Sequence, residues 1–194
     1  MSSPRFYALD ALRGLAIALM ILVNTPGSWQ HVYSPLLHAA WDGFTFADIV
    51  FPTFLFVVGA AMFYSLKTAE LSKASVWRVS SRALKLIGIG VLLNYVPFDV
   101  QLSELRLPGV LQRIGLAYWF AALLVLSVKR SYLPVLSVAL VLLYWLALAL
   151  GGGEQPYSLE HNLVRQWDLA IFGAAHLYQG FGVAFDPEGL LSTL

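Results

Sequence analysis

Cysteine is absent from the 194-residue chain, which excludes disulfides and thiolate metal sites and leaves the redox compartment open. Charge is scarce: only 12% of residues are Asp, Glu, Lys or Arg, where soluble domains carry about 25%. The net charge is +1, so no general field draws in nucleic acid or another polyanion. No signal peptide is expected, because residues 1–10 hold neither an apolar h-region nor a small-residue cleavage site. Internal repeats and low-complexity tracts are missing too. What fills the chain is apolar. Hydrophobic residues make up 59%, and they sit in long runs, the mark of a membrane protein rather than of a large soluble core.

A membrane span needs about 20 apolar residues, and five stretches qualify as candidates. The first is short, Ala11 to Val23, stopped by Asn24-Thr25-Pro26-Gly27. The second runs from Phe44 to Tyr64 and carries Asp48 and Pro52. The third, Ala83 to Leu93, extends a basic amphipathic lead-in from Val76. The fourth covers Val110 to Val128, just after Pro108-Gly109. The fifth, Tyr132 to Leu150, holds no charge and ends at Gly151-Gly152-Gly153. A polar loop follows, and Gly189-Leu190-Leu191 reads as the entry to a sixth. The expected fold is therefore an all-α integral membrane protein of about five transmembrane helices plus the start of a sixth.

Basic residues set the expected orientation. Arg5, Arg13, Lys67, Lys73, Arg78, Arg82, Lys85, Lys129 and Arg130 fall on one side of a five-span chain, and Arg106, Arg113 and Arg165 on the other. This bias predicts a cytoplasmic N-terminus, with loops 24–43, 94–109 and 151–189 facing the periplasm or a lumen.

Charged side chains at membrane depth cost a few kcal/mol (about 2.5–3.5) on insertion scales and mark candidate functional positions. Asp10 and Arg13 share a helical face at the cytoplasmic mouth of the first span. They are either an interfacial ion pair or an anion-binding mouth for a phosphorylated cofactor. Arg78, Arg82 and Lys85, spaced i, i+4, i+7, form a stripe that either anchors to anionic headgroups or docks a nucleotide such as coenzyme A. His38 stands in an outer loop near Asn24, Asp42 and Asp48, groups that can fix its tautomer as a general base requires. Asp48 and Arg113 occupy the first turns of their spans on that side; they either pair or line a cavity near His38. The 151–189 loop holds His161, Asp168, His176, Tyr178, Asp186 and Glu188 among aromatics. That mixture suits a sugar ring, whose edges want polar partners and whose faces want aromatics. Metal-ligand spacing is absent from the motif pattern, so no metal is expected.

One string is more specific than these patterns. Trp41-Asp42-Gly43-Phe44-Thr45-Phe46-Ala47-Asp48-Ile49-Val50-Phe51-Pro52 resembles the W-(N/D)-G-x-T-x-A-D-x-V-F-P segment of the transmembrane heparan-α-glucosaminide N-acetyltransferase family and its bacterial relatives. Leu9-Asp10-Ala11-Leu12-Arg13-Gly14, Pro108-Gly109-Val110-Leu111-Gln112-Arg113, His176-Leu177-Tyr178-Gln179 and Asp186-Pro187-Glu188-Gly189 agree in the family's order. The D-x-x-R-G string also occurs in the wider acyltransferase-3 group; the twelve-residue string with P-G-V-L-Q-R is the specific part.

The resemblance implies that residues 1–194 are the N-terminal portion of a single polytopic membrane acyltransferase domain, truncated as the next helix begins. It implies acetyl-CoA as acetyl donor on the cytoplasmic side, and an amino sugar on the opposite face as acceptor. His38 maps onto the family's catalytic histidine and Asn24 onto the asparagine ending the first helix. Asp48 or Asp42 orients the imidazole. Asp10, Arg13, Arg78, Arg82 and Lys85 are the expected acetyl-CoA contacts. Trp41, Asp42, Arg113, His176, Tyr178, Asp186 and Glu188 are the expected sugar contacts. The family relation also makes a homodimer an expectation, and the lack of long lumenal insertions favours a bacterial inner membrane. Chemically, His38 either takes the amine proton during direct transfer or carries the acetyl group itself. Three rival readings are an amino-sugar permease, an O-acetyltransferase of envelope polysaccharide, and a membrane structural subunit whose basic residues serve only topology.

Overall fold

A computed structural model describes residues 6–193, and every regular element among them is helical. Arg5, counted above with the cytoplasmic basic residues, and Leu194 lie outside the described residues. Six helices are α1 (Tyr7–Asn24), α2 (Phe46–Ser65), α3 (Lys73–Tyr95), α4 (Val110–Ser127), α5 (Leu133–Gly151) and α6 (Leu163–Phe172), joined by short 3-10 turns. The chain divides into two compact units, Met1–Thr68 and Ala69–Leu194.

Among the described residues, four helical stretches are long and apolar enough to cross a membrane: Tyr7–Asn24, Phe46–Ser65, Val110–Ser127 and Arg130–Gly151. At 1.5 Å per residue, 18–22 residues reach about 27–33 Å, the thickness of a hydrocarbon core. The protein is thus an all-α integral membrane protein. The expected third span differs from the other four. It is one continuous 23-residue helix that absorbs the basic lead-in, so it has the length of a span. Lys73, Arg78, Arg82 and Lys85 dilute its apolar character. The start of a sixth span is only a 3-10 turn, Leu191–Thr193. The polar loop after α5 folds further than expected, enclosing the ten-residue helix α6.

In the first unit α1 packs on α2 end to start. Val23, Ala47 and Val50 form the buried cluster, with Leu19, Met20 and Leu36 against it. Leu36 belongs to the loop between the helices, so that loop is drawn onto the mouth of the hairpin. Asn24, the last residue of α1, and Asp48, in the first turn of α2, therefore share that end.

In the second unit α3 and α4 meet through small residues. A Cβ on Gly115 would lie 2.9 Å from Ile87 Cγ1 and 3.0 Å from the Ala83 carbonyl oxygen, so glycine lets the two backbones approach. Lipid tails are as apolar as the helix surfaces, so close packing and polar contacts hold such helices together. Trp119 Nε1 donates to Ser80 Oγ at 2.9 Å. Asn94 Nδ2, at the end of α3, donates to the carbonyls of Arg106 and Pro108 at 2.9 and 3.0 Å. No residue of α5 is buried, as befits a lipid-facing helix. Asn162 caps α6 by accepting from the Arg165 N–H at 2.9 Å, and Gly173, at φ 76°, ends it in a conformation that side chains disfavour.

Candidate active site

Thr45 and Asp48 start α2 as a capping box, Asp48 reaching back to the Thr45 N–H at 2.8 Å. Pro52, one turn further on, has no N–H to offer the Asp48 carbonyl. The Asp48 carboxylate is shared between the helix start and the loop. Its Oδ2 accepts from the Thr45 N–H, from the Thr45 hydroxyl at 2.9 Å and from the Ala39 N–H at 3.4 Å. Its Oδ1 lies 2.7 Å from His38 Nδ1. The carboxylate is 24% exposed and the imidazole 54%.

That contact settles a tautomer. An ionised carboxylate can only accept, so Nδ1 carries the proton. In the neutral ring Nε2 then bears the lone pair, and it makes no hydrogen bond among the described residues. Of the two acids weighed from the sequence, Asp48 is the one that holds the ring; Asp42 is exposed. Asn24 lies at the end of α1 with its Nδ2 donating to the Met20 carbonyl at 2.8 Å. One of its two amide protons is spent on the helix end, and the other remains. Asp10 and Arg13 form an exposed i,i+3 ion pair at 3.4 Å, a type worth about 0–1 kcal/mol. Trp41 is 41% exposed.

In the second unit Arg78, Arg82 and Lys85 are all exposed on α3, while Val79, Ala83 and Gly90 turn inward. Arg82 is not wholly free for an anion, since its guanidinium stacks 5.0 Å from the Tyr118 ring centroid. Arg78 and Lys85 have no such stacking partner among the described residues.

The loops of this unit hold a network that sequence reading missed. Arg106 forks onto Asp186, Nε to Oδ2 at 2.8 Å and Nη2 to Oδ1 at 2.7 Å, and Nη2 also reaches Glu188 Oε2 at 2.6 Å. The Tyr178 ring lies 5.3 Å from the guanidinium carbon. Burial works against the Arg106 charge, but Asp186 and Glu188 outweigh it and hold its proton more tightly than usual. Glu188 is pushed up by burial and by its hydrogen bond with Asp186, with Arg106 opposing. The Asp186 side chain is fully buried, so it serves the loop's fold before any ligand. His176 Nδ1 donates to the Leu105 carbonyl at 2.7 Å, and Leu107 N–H returns a bond to the His176 carbonyl at 3.0 Å. Arg106 and these partners lie about 70–80 residues apart in the chain, and no local motif announces them.

Arg113, in the first turn of α4, donates to the carbonyls of Ser192 (2.7 Å) and Pro187 (3.4 Å). Together with Glu188 and Gln112 it lines a cavity of about 290 Å³ whose other walls are mainly apolar, Val91, Leu116 and Phe172 among them. His161 contacts Ser158 Oγ at 3.2 Å. Asp168 is fully buried on α6; its Oδ1 accepts from Leu190 N–H at 2.9 Å, and its Oδ2 has no hydrogen-bond partner among the described residues.

These observations meet the relatives of the chain. Residues 5–177 match the family model described as heparan-alpha-glucosaminide N-acetyltransferase, catalytic. The human heparan-alpha-glucosaminide N-acetyltransferase is 30% identical over 244 aligned positions, covering 98% of this chain and 36% of the human protein. The mouse protein of the same name is 29% identical over 246 positions, covering 100% of this chain and 37% of its own length. The alignments exceed the chain in length, so both mammalian proteins carry insertions within the matched region. The chain spans about a third of the length of the curated relatives it matches. On the match across residues 5–177, the protein belongs to the heparan-alpha-glucosaminide N-acetyltransferase catalytic family.

Proposed function

We propose that this chain carries the histidine-bearing part of a membrane-embedded acetyltransferase that moves acetyl from cytoplasmic acetyl-CoA to the amine of an amino sugar on the opposite face. The observation that carries the reading is the 2.7 Å contact between His38 Nδ1 and Asp48 Oδ1. It leaves an exposed imidazole nitrogen with a lone pair, oriented by a carboxylate that is itself anchored to a helix start. The charge asymmetry of the loops supports opposite sides for His38 and for the Arg78–Lys85 stripe.

The chemistry is acyl transfer from a thioester. As the amine nitrogen bonds to the acetyl carbon, His38 Nε2 takes the amine proton. Asp48 stabilises the imidazolium so formed, and general-base help of this kind is worth about 10²–10⁴-fold. The tetrahedral oxyanion requires a donor, and the remaining amide proton of Asn24 is our candidate. The C–S bond then breaks, and the imidazolium returns its proton to the leaving thiolate. Arg78 and Lys85 would take the nucleotide phosphates, with Arg82 contributing from its place over Tyr118 and Asp10–Arg13 at the same membrane face. Trp41, Asp42, Arg113, His176 and Tyr178 would contact the sugar. Asp186 and Glu188 would act there through the loop that Arg106 braces. We place the protein in a bacterial inner membrane, since the insertions of the mammalian relatives are missing; a homodimer follows the same family reading.

The test is transfer of labelled acetyl from acetyl-CoA to glucosamine in membranes holding the full-length protein. The reading requires an amide product, abolished in His38→Ala with the protein still in the membrane. An ester product, or sugar accumulating in vesicles without acetyl-CoA, would overturn it.

A further inference from the structure

The Asp48 carboxylate has a problem that its helix does not solve. The torsion that turns a carboxylate plane is broad and roughly two-fold, so nothing intrinsic to Asp48 fixes the plane in which its carboxylate meets His38. The capping box fixes Oδ2 to the Thr45 N–H, which is all that α2 needs from this side chain. Yet Oδ2 also accepts the Thr45 hydroxyl proton at 2.9 Å. The hydroxyl oxygen faces the Asp48 N–H as the other half of the capping box, and its proton goes to the carboxylate rather than to a backbone group. Two of the three donors on Oδ2 come from one residue, and the third, the Ala39 N–H at 3.4 Å, is long for a hydrogen bond. With Oδ2 so occupied, Oδ1 is the oxygen left for the imidazole, and the carboxylate plane is fixed in space.

We propose that Thr45 is a positioning residue for the transfer. Its hydroxyl holds the plane of the Asp48 carboxylate in line with His38 Nδ1, so that the ring keeps its lone pair at Nε2. The inference rests on the acetyltransferase reading for its purpose but not for its geometry. It concerns the Thr45 side chain. Its action runs through Asp48 to His38. Removing the hydroxyl also takes the N-cap acceptor from the Asp48 N–H, which weakens the helix start, while the Thr45 N–H still binds Asp48 Oδ2; serine restores both hydroxyl contacts.

The experiment has two readouts. The 194-residue chain, with ring-¹⁵N histidine, is placed in lipid nanodiscs at a pH where His38 is neutral. The His38 signals are assigned by their loss in His38→Gln. The nitrogen shifts then report the tautomer without any catalysis. Wild-type protein is expected to show a single form with Nδ1 protonated. Thr45→Val keeps the β-branched shape and removes the hydroxyl, and it is expected to give a mixture of tautomers. Thr45→Ser is expected to restore the single form. The second readout is acetyl transfer by the full-length protein. Thr45→Val should lower kcat about tenfold, the effect of one hydrogen bond to a charged group, with KM for donor and acceptor unchanged, and Thr45→Ser should recover it. A single Nδ1-protonated tautomer in Thr45→Val would overturn the proposal, as would a loss that Thr45→Ser fails to restore. A tautomer mixture rescued by serine, in a protein with no transferase activity, would leave the positioning role standing and remove the enzyme reading instead.

Discussion

Asp168 offers the sharpest quantitative test of the fold. Its side chain is fully buried on α6, with Leu190 N–H on Oδ1 and nothing on Oδ2. A Cβ on Gly189 would collide with that second oxygen, so the 186–193 segment is pressed against the carboxyl. Burial raises its pKa to about 6, the Leu190 N–H opposing and the nearby Asp186 charge adding to the rise. The folded state therefore binds this proton more tightly than the unfolded chain, where the ordinary value is 3.8. The sign follows. The group's full contribution is present below about pH 4, declines as pH rises toward 6, and is gone at neutral pH. The span between the two values amounts to about 3 kcal/mol.

Asp168→Asn removes the titration while its oxygen still accepts from Leu190. The buried amide keeps an unpaired polar group, as the protonated acid does, so that cost cancels in the comparison. Relative to wild type, the variant should gain about 3 kcal/mol between pH 4 and pH 7.5. The measurement is amide exchange at Leu190 in detergent micelles, corrected for the intrinsic rate, with the summed fluorescence of the six tryptophans following global unfolding. Glu188 is present in both proteins and drops out of the difference. Parallel pH trends for wild type and variant would refute the argument.

The remaining expectations are more direct. His38→Ala and Asp48→Asn should each lower acetyl transfer by the full-length protein by about 10²-fold or more, with unchanged helix content by circular dichroism. Arg106→Ala strands the fully buried Asp186 carboxylate and should cost about 3–5 kcal/mol, seen as rapid proteolysis of the 174–190 loop. Gly115→Leu forces a side chain against Ile87 and the Ala83 carbonyl. It should destabilise the α3–α4 pair by about 1–3 kcal/mol, read as a lower Tm in micelles.

What could be read from the sequence divides by distance along the chain. Helix spans come from contiguous apolar runs, so α1, α2, α4 and α5 lie where those runs lie, within a few residues at each end. The exception is α3. Its first half is basic and reads as a lead-in, yet Ser72 caps it, its Oγ accepting from the Ser75 N–H at 3.2 Å, and the helix runs unbroken from Lys73 to Tyr95. A mean over an apolar window cannot see a cap. The His38–Asp48 contact was half legible. Ten residues separate the pair, and the loop between them ends at the N-cap of α2, so proximity could be argued while the choice between Asp42 and Asp48 could not. That choice depends on Asp48 standing at the third helical position, where its carboxylate turns back over the cap toward the loop. The Arg106–Asp186–Glu188 network was illegible for the opposite reason. Its members are 80 and 82 residues apart, and Asp186 and Glu188 beside aromatics look alike whether they await a sugar or bind an arginine. Desolvation separates the two cases. A carboxylate with no exposed surface must have its partner inside the protein, so Asp186 meets Arg106 first, and whatever the loop recognises is recognised by the side chains that this ion pair leaves outside.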